Sequence, residues 1–358
     1  MKTGVALFLC LLCVTALGIV NASHVSANDN SWTERASMPT SRAGLGVAAV
    51  NGRIYAIGGW NPCPINTTEE YNPSTDAWSP KSAMPTARMF FGTAVYQDRI
   101  YVMGGKVGQK ATNVTEVYDP STDKWTTKAS MPIACYDLTA NLVNGKIYLI
   151  GGIKPLNGSN IACINITQIY DPSTDKWTIG TPIPKPVYSY ASAVVGSQIY
   201  VISGSTLSPN SSITSLNQVY DVDSAAWTLG APVPTAVNAP AGISITDGSP
   251  KIFVIGGGGS EFHATYNLTQ IYDVQSNSWI AGAPIPAYRF TLGAAFLDKT
   301  LYAIGGADNL AAKNEVYSIN LGSSSPEFPL VALVVTCMLT VIVAVVVLLK
   351  VATAKSSE

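Results

Sequence analysis

The chain has 358 residues, of which 12% are charged, and its formal net charge is −1. This length suits one large domain with additional terminal segments. Proteins that bind nucleic acid usually present a basic surface, so the nearly neutral composition argues against that class of function.

The first 22 residues are typical of a secretory signal peptide. A lysine precedes the apolar run from Val5 to Val20, and Ala22 is a small residue suited to cleavage. Cleavage after Ala27 is one alternative, and an uncleaved membrane anchor is another, although the run is short for that role. We expect an exported protein in which residues 23–30 form an N-terminal segment.

Residues 31–320 contain a repeat with a period near 50 residues, which predicts the blades of a β-propeller. The unmatched ends of the series predict that the first tryptophan lies in the outer strand of the last blade and closes the ring. The tryptophans are Trp32, Trp78, Trp125, Trp177, Trp227 and Trp279. The motif tyrosines, each seven residues before a tryptophan except in the last repeat, are Tyr71, Tyr118, Tyr170, Tyr220, Tyr272 and Tyr317.

Residues 84–125 illustrate the four strands expected in each repeat. Two strands, Phe91–Val95 and Arg99–Met103, are joined by a tight connection, and a double glycine ends the second. A third strand ends at Tyr118, an Asp-Pro-Ser-Thr-Asp turn follows it, and Trp125 lies in the fourth. Six such repeats predict an all-β, six-bladed propeller.

This repeat resembles the kelch repeat from roughly Trp32 to Asn320. The resemblance implies that the glycines allow close backbone approach and that the aromatic residues fill the space between blades. Kelch propellers have unrelated functions, so the fold alone does not define one. The glycines are Gly58, Gly59, Gly104, Gly105, Gly151, Gly152, Gly204, Gly256, Gly257, Gly305 and Gly306, and Ser203 replaces the twelfth.

One face of the propeller is the expected binding face. We label the strands of a blade a to d from the axis outward, so that the d–a and b–c connections share a face. The b–c loops vary between 11 and 18 residues from the second glycine to the motif tyrosine, whereas the a–b and c–d turns are short. Length variation and function concentrate in loops.

A candidate ligand site lies where the d–a connections reach the mouth of the central channel. Arginines beside aromatic residues suit carboxylates, acidic peptides or sugars. The alternative is a structural role, with each arginine paired to a neighbouring blade. The candidate residues are Arg42, Arg88, Arg289, Tyr136, Asp137, Tyr188, Tyr190 and Tyr288.

These patterns favour a binding or adhesion module for protein or glycan ligands over an enzyme. No cofactor or metal site is expected, because the chain has two histidines. One alternative is a sugar-acid mutarotase or epimerase, since sialic-acid mutarotases are six-bladed kelch propellers. Asp137 is nearly alone as an acid or base there, which argues against catalysis. The other alternative is a passive component of a surface layer.

Six Asn-x-Ser/Thr sequons within the repeat region predict a glycosylated domain. Four of them lie five residues before a motif tyrosine and would form a partial collar of glycans. The alternative is that Asn-x-Thr suits the start of strand c and carries no sugar. The sequons begin at Asn66, Asn113, Asn157, Asn165, Asn210 and Asn267.

Three cysteines, Cys63, Cys135 and Cys163, lie outside the terminal segments. An odd number allows one bridge at most. Cys135 and Cys163 fall on the same face of one blade, and Cys63 is two blades away. We therefore expect a bridge, if one forms, to join Cys135 to Cys163.

The C-terminal segment predicts a membrane anchor. Residues 328–349 carry no charge over 22 positions, which is long enough for a transmembrane helix. Residues 321–327 form a linker, and the lysines of residues 350–358 place that tail in the cytoplasm. We expect a single-pass protein of the cell membrane with an extracellular propeller whose long-loop face points outward. The Pro-Glu-Phe sequence at 326–328 resembles a sorting signature of some archaeal surface proteins, in which case the helix is processed.

Overall fold

The computed structural model describes residues 31–156, 160–207, 212–259, 264–308 and 311–321. These residues form six four-stranded antiparallel sheets and three two-stranded ones. The innermost strands of successive large sheets contact one another around a common axis. The sheets are therefore the blades of a six-bladed β-propeller, and the predicted all-β fold is confirmed.

The strands are numbered along the chain. β1 (Thr33–Arg35) is followed by blade 1, which contains β2 (Gly46–Val50), β3 (Arg53–Ile57), β4 (Thr68–Asn72) and β5 (Ala77–Lys81). Blade 2 contains β6 (Gly92–Tyr96), β7 (Arg99–Met103), the small hairpin β8 (Lys106–Val107) and β9 (Lys110–Ala111), then β10 (Thr115–Asp119) and β11 (Lys124–Lys128). Blade 3 contains β12 (Ala140–Val143), β13 (Lys146–Ile150), the hairpin β14 (Ile153–Pro155) and β15 (Ile161–Cys163), then β16 (Thr167–Asp171) and β17 (Lys176–Gly180).

Blades 4 to 6 repeat this order. Blade 4 contains β18 (Ala191–Val195), β19 (Gln198–Ile202), the hairpin β20 (Ser205–Thr206) and β21 (Ser212–Ile213), then β22 (Asn217–Asp221) and β23 (Ala226–Gly230). Blade 5 contains β24 (Ala241–Ile245), β25 (Lys251–Ile255), β26 (Thr269–Asp273) and β27 (Ser278–Ala281). Blade 6 contains β28 (Gly293–Leu297), β29 (Thr300–Ile304) and β30 (Val316–Asn320).

The two ends of the described chain close the ring. β1 pairs antiparallel with β30, with Thr33 opposite Ser318 and Arg35 opposite Val316. The indole of Trp32 donates a hydrogen bond to the carbonyl of Ala283, which follows the outer strand of blade 5. β1 is thus the outer strand of blade 6, as the unmatched tryptophan predicted.

In every blade except blade 4, the motif tryptophan donates a hydrogen bond to the blade before it. In blade 2, the rings of Tyr118 and Trp125 are 5.1 Å apart, and the indole of Trp125 donates to the Ser82 carbonyl at 2.8 Å. Asp123 accepts hydrogen bonds from the Tyr118 hydroxyl at 2.7 Å and from the Ser82 amide at 2.8 Å. Ser82 follows the outer strand of blade 1, so these contacts span the boundary between the two blades.

The double glycines pass close to the following d–a connection. A Cβ at Gly151 would lie 2.6 Å from the Val187 carbonyl oxygen, and φ at Gly151 is +65°. Ser203, the one departure, also has positive φ at 62°. The hydroxyl of Ser203 donates a hydrogen bond to the carbonyl of Val237 at 2.8 Å. The serine side chain is therefore accommodated by a hydrogen bond to the following d–a connection.

The d–a and b–c connections share one face, as predicted. Arg88 N donates to Ile65 O at 3.3 Å, and Arg289 N donates to Tyr266 O at 3.2 Å. Each of these bonds links a d–a connection to the b–c loop of the preceding blade. We call this side of the propeller the loop face.

The predicted disulfide is not formed: Cys63, Cys135 and Cys163 are free thiols. Tyr136, the neighbour of Cys135, pairs with Ile153, and Ile153 pairs on its other side with Cys163. Two strand spacings, roughly 9–10 Å, thus separate the two cysteine-bearing segments. That exceeds the usual Cα separation of a disulfide, about 4.4–6.8 Å.

Several predictions lie outside the described residues. They are the signal peptide and N-terminal segment (1–30), nearly all of the linker, the transmembrane helix (328–349), the tail (350–358) and the sequons at Asn157 and Asn210. Within the described ranges, no helix has the length and apolar character needed to cross a membrane.

Candidate functional site

Six backbone hydrogen bonds form a closed ring around the channel mouth on the loop face. Each blade contributes one residue with φ between +50° and +58°. The N–H of each donates to the carbonyl of its counterpart in the preceding blade, with N···O distances of 2.6–3.0 Å. The bond from Gly44 to Thr291 closes the circle, so the ring fixes the width of the mouth. Its members are Gly44, Phe90, Asp137, Ser189, Ala239 and Thr291.

The mouth cavity inside this ring is too small for most ligands. Its volume is about 110 Å³, whereas small-molecule sites usually occupy about 300–1,000 Å³. Phe90, Asp137 and Tyr190 are among its lining residues.

Asp137 is the acidic group of this mouth cavity. Burial raises its pKa to about 7, against a hydrogen bond from Ser189 and the charge of Lys106, which both lower it. Burial disfavours the carboxylate because it removes water from the charged form. The carboxyl therefore titrates close to neutral pH.

The arginines do not form the predicted arc at the mouth, because their side chains fold back into their own blades. Arg42, Arg88 and Arg289 are each fully buried. Arg88 Nη2 lies 2.7 Å from Glu116 Oε2, and Nη1 donates to the Val114 carbonyl at 2.9 Å. Arg42 forms the same pair with Glu69. The structural alternative is the correct one, although each partner lies in the same blade rather than in a neighbour.

A pattern in the sequence could have revealed these pairs. The residue two before the motif tyrosine is Glu in the three blades that have arginine in the d–a connection, and Gln in the other three. Those glutamines bond the backbone instead: Gln168 accepts from Ile133 N at 2.8 Å, and its amide donates to the Ile133 carbonyl at 3.3 Å. The charge of one position thus follows the charge of the other. The pairs are Arg42–Glu69, Arg88–Glu116, Cys135–Gln168, Val187–Gln218, Val237–Gln270 and Arg289–Glu315.

Blade 6 departs from this closed arrangement. Arg289 Nη2 is 3.6 Å from Glu315 Oε2, and the Glu315 side chain is 31% exposed, compared with 2% for Glu116. Neither of these two atoms has a hydrogen-bond partner, although both are buried. Arg289 is held in place by a bond from Nη1 to the Gly305 carbonyl at 2.9 Å and by the ring of Tyr317.

This open pair borders a cleft of about 590 Å³ on the loop face between blades 5 and 6, which we call the blade 5–6 cleft. Tyr288, 58% exposed, stands beside it. Lys313 and Asp308 form an ion pair of 2.7 Å and are each about a quarter exposed. The lining residues are Thr265, Pro286, Ala287, Tyr288, Arg289, Asp308, Lys313 and Glu315.

Of the remaining candidate residues, Tyr190 lines one of these two cavities, and Tyr136 and Tyr188 line neither. Tyr190 lines the mouth cavity and donates its hydroxyl to the Ile150 carbonyl. Tyr136 is buried beneath the ammonium group of Lys106, 5.4 Å from its ring. Tyr188 is half-buried in the d–a connection. Of the eight predicted residues, Tyr288 and Arg289 reach the blade 5–6 cleft, which also contains four b–c loop residues that sequence reasoning missed.

The threonines of the four described sequons are buried at the first position of strand c, which fits the structural alternative for Asn-x-Thr. The side-chain nitrogen Nδ2 of Asn113, the atom that would carry a glycan, donates to the Met131 carbonyl at 3.1 Å. Glycosylation of these asparagines stays a prediction. The buried residues are Thr68, Thr115, Thr167 and Thr269.

Among the residues that the structure describes, no group of three or more histidine, cysteine, aspartate or glutamate side chains is placed to hold a metal ion. The blade 5–6 cleft instead combines an exposed aromatic ring with two pairs of opposite charge. The charged side chains of these pairs offer a ligand both hydrogen-bond donors and hydrogen-bond acceptors within one cleft.

Comparison with known proteins points to one family. The model of the KLHDC2/KLHL20/DRC7 Kelch-repeats domain matches residues 20–204 and 80–257. The solved structure described as "Structure of YjhT" superposes with a TM-score of 0.69 at 17% sequence identity, covering 80% of this chain and 97% of that one. No curated protein matches the sequence.

Proposed function

Because the chain belongs to the kelch-repeat β-propeller family, whose propellers generally mediate protein interactions, we propose that it is a binding module acting through the blade 5–6 cleft. The observation that carries this proposal is the conjunction of Tyr288, 58% exposed, with an open Arg289–Glu315 pair in a cleft of about 590 Å³. An exposed aromatic residue beside polar groups is typical of recognition sites.

We further propose that this module acts at the cell surface, tethered by residues 328–349 and carrying glycans. The sequence of both ends of the chain supports this location. β30 ends at Asn320, on the tight-turn face.

The arginine-lined mouth that motivated a sugar-acid mutarotase is contradicted by the burial of all three arginines. The mouth cavity offers about 110 Å³ instead. The proposed binding at the blade 5–6 cleft does not involve the residues of the channel mouth.

The test is binding of the purified protein to peptide and glycan arrays. We expect Tyr288→Ala to abolish binding of any specific ligand. The matched control is Leu229→Ala, which removes a 67% exposed apolar side chain from the outer strand of blade 4. Equal loss in both variants, or none in Tyr288→Ala, would contradict a site at this cleft, and the absence of any ligand would favour the passive surface-layer alternative.

A further inference from the structure

The blade 5–6 cleft lacks a hydroxyl group that the equivalent positions of blades 1 and 2 possess. Thr40 donates its hydroxyl to Glu69 Oε1 at 2.8 Å, and Thr86 donates to Glu116 Oε1 at the same distance. The equivalent residue in blade 6 is Ala287, which lines the cleft. Blade 6 thus keeps the arginine and the glutamate but has lost the donor that holds the carboxylate.

The open pair of blade 6 accompanies the absence of this hydroxyl. Glu315 has turned partly toward solvent, and its Oε2 and the Nη2 of Arg289 have no hydrogen-bond partner. Leaving buried charged groups without partners costs more than an ordinary hydrogen bond contributes. A ligand hydroxyl that donates to the partly exposed Glu315 carboxylate supplies the hydrogen bond that Thr40 and Thr86 make to Oε1 in their own blades.

The charges restrict which ligand can do so. An anion would meet the carboxylate of Glu315, and a cation would meet the guanidinium of Arg289. A neutral hydroxyl group avoids both conflicts, because it brings no charge and can donate to the Glu315 carboxylate. The Lys313–Asp308 ion pair offers a second donor and acceptor in the same cleft.

We infer that the blade 5–6 cleft binds a neutral saccharide, with one sugar hydroxyl in the place that Thr40 and Thr86 fill in their own blades. This inference rests on the proposed function and specifies the ligand of the same site. A sugar ring presents several hydroxyls to both charge pairs, and its apolar face can pack on the exposed ring of Tyr288. The cleft volume, about 590 Å³, lies within the usual range for small ligands.

The decisive variant is Ala287→Thr, which supplies the missing hydroxyl from within the chain. We expect it to close the Arg289–Glu315 pair as in blades 1 and 2 and to compete with the sugar. The experiment is saturation-transfer NMR of the full chain, in a detergent without sugar groups, against methyl glycosides of glucose, galactose, mannose and N-acetylglucosamine. The affinity should fall about tenfold or more, since a hydrogen bond to a charged group is involved.

Two further variants make the result interpretable. Ala77→Thr adds the same side chain at an exposed position of β5 and should leave binding unchanged. Glu315→Gln should fold onto the backbone of residue 287, as Gln168 does on Ile133, and should also weaken binding. It serves as the test if Ala287→Thr does not fold.

Saturable glycoside binding that both cleft variants weaken supports the inference. Undiminished binding in both variants overturns the placement of the hydroxyl. If no glycoside binds while an array peptide binds in a Tyr288-dependent manner, the saccharide is wrong and the proposed function stands. If neither binds, both are overturned.

Discussion

Blade 4 lacks side-chain contacts to the preceding blade that blades 1, 2, 3 and 5 make, and a single substitution should restore them. In blade 3, Asp175 accepts hydrogen bonds from the Tyr170 hydroxyl at 2.6 Å and from the Ala129 amide at 2.8 Å. Blade 5 makes the same bonds with Asn277. Blade 4 has Ala225 at this position, which has no side-chain acceptor for Tyr220.

We predict that Ala225→Asp stabilises the propeller by about 2 kcal/mol. Each new hydrogen bond, from Tyr220 and from the Thr181 amide, contributes ~0.5–1.5 kcal/mol. Ala225 also has a φ of +52°, a conformation that costs an ordinary residue about 1–2 kcal/mol and that Asp and Asn tolerate better. Solvent screening at this exposed turn reduces the sum.

The assay is thermal unfolding, in which about 2 kcal/mol corresponds to a rise in Tm of about 3 °C for a propeller of this length, at ~2.1 cal/mol/K of unfolding entropy per residue. Ala225→Asn separates the hydrogen bonds from the added charge, and Asp175→Ala should lower Tm by a similar amount. If both Ala225 variants leave Tm unchanged or lower it, the inter-blade role assigned to this position is refuted.

Three other predictions follow from the d–a connections and the cysteines. Arg88→Val should destabilise the protein by about 3–5 kcal/mol in chemical denaturation, because Glu116 is left buried without its partner. Adding Glu116→Gln should recover much of that loss, because the double variant copies the Val–Gln pairs of blades 4 and 5. If the two substitutions destabilise additively, the pairing of these two positions is contradicted. Burial raises the pKa of Asp137 to about 7, so the folded state retains a proton that the unfolded state releases near pH 4. The contribution of Asp137 to stability should therefore decline as pH rises from about 4 to 7 and then level off. Asp137→Asn should remove this component from a series of Tm values against pH, and an unchanged profile would mean that the carboxyl is ionised throughout. Treatment with a reductant should leave Tm unchanged, since all three described cysteines are free thiols, and a mobility shift on non-reducing gels after denaturation would show a bridge instead.

The architecture was predictable because the information is local and repeated. Strand alternation, tight turns and aromatic spacing recur along the repeats, so a strand that is ambiguous in one repeat can be assigned from the others. The unmatched Trp32 and Tyr317 even predicted that β1 pairs with β30. The position of the loop face followed from the antiparallel order of the strands.

The fate of the charged residues was decided by tertiary structure. An arginine in a d–a connection can point into the channel or back into its blade, and the sequence of the connection is compatible with both. The choice depends on a carboxylate 27 residues away for Arg42 and 28 residues away for Arg88, across two strands and a loop. Full burial favours the paired conformation, because each guanidinium also reaches backbone carbonyls there.

Sequence by itself therefore determined the number of blades, their order and the closure of the ring, because these depend on periodicity. Only the folded chain decided that Arg42 and Arg88 are structural while Arg289 borders a cleft. Blade 6 also has Ala287 at the position where the other two arginine-bearing blades have threonine. The difference appears only when the b–c loop and the d–a connection of blade 6 come together in space.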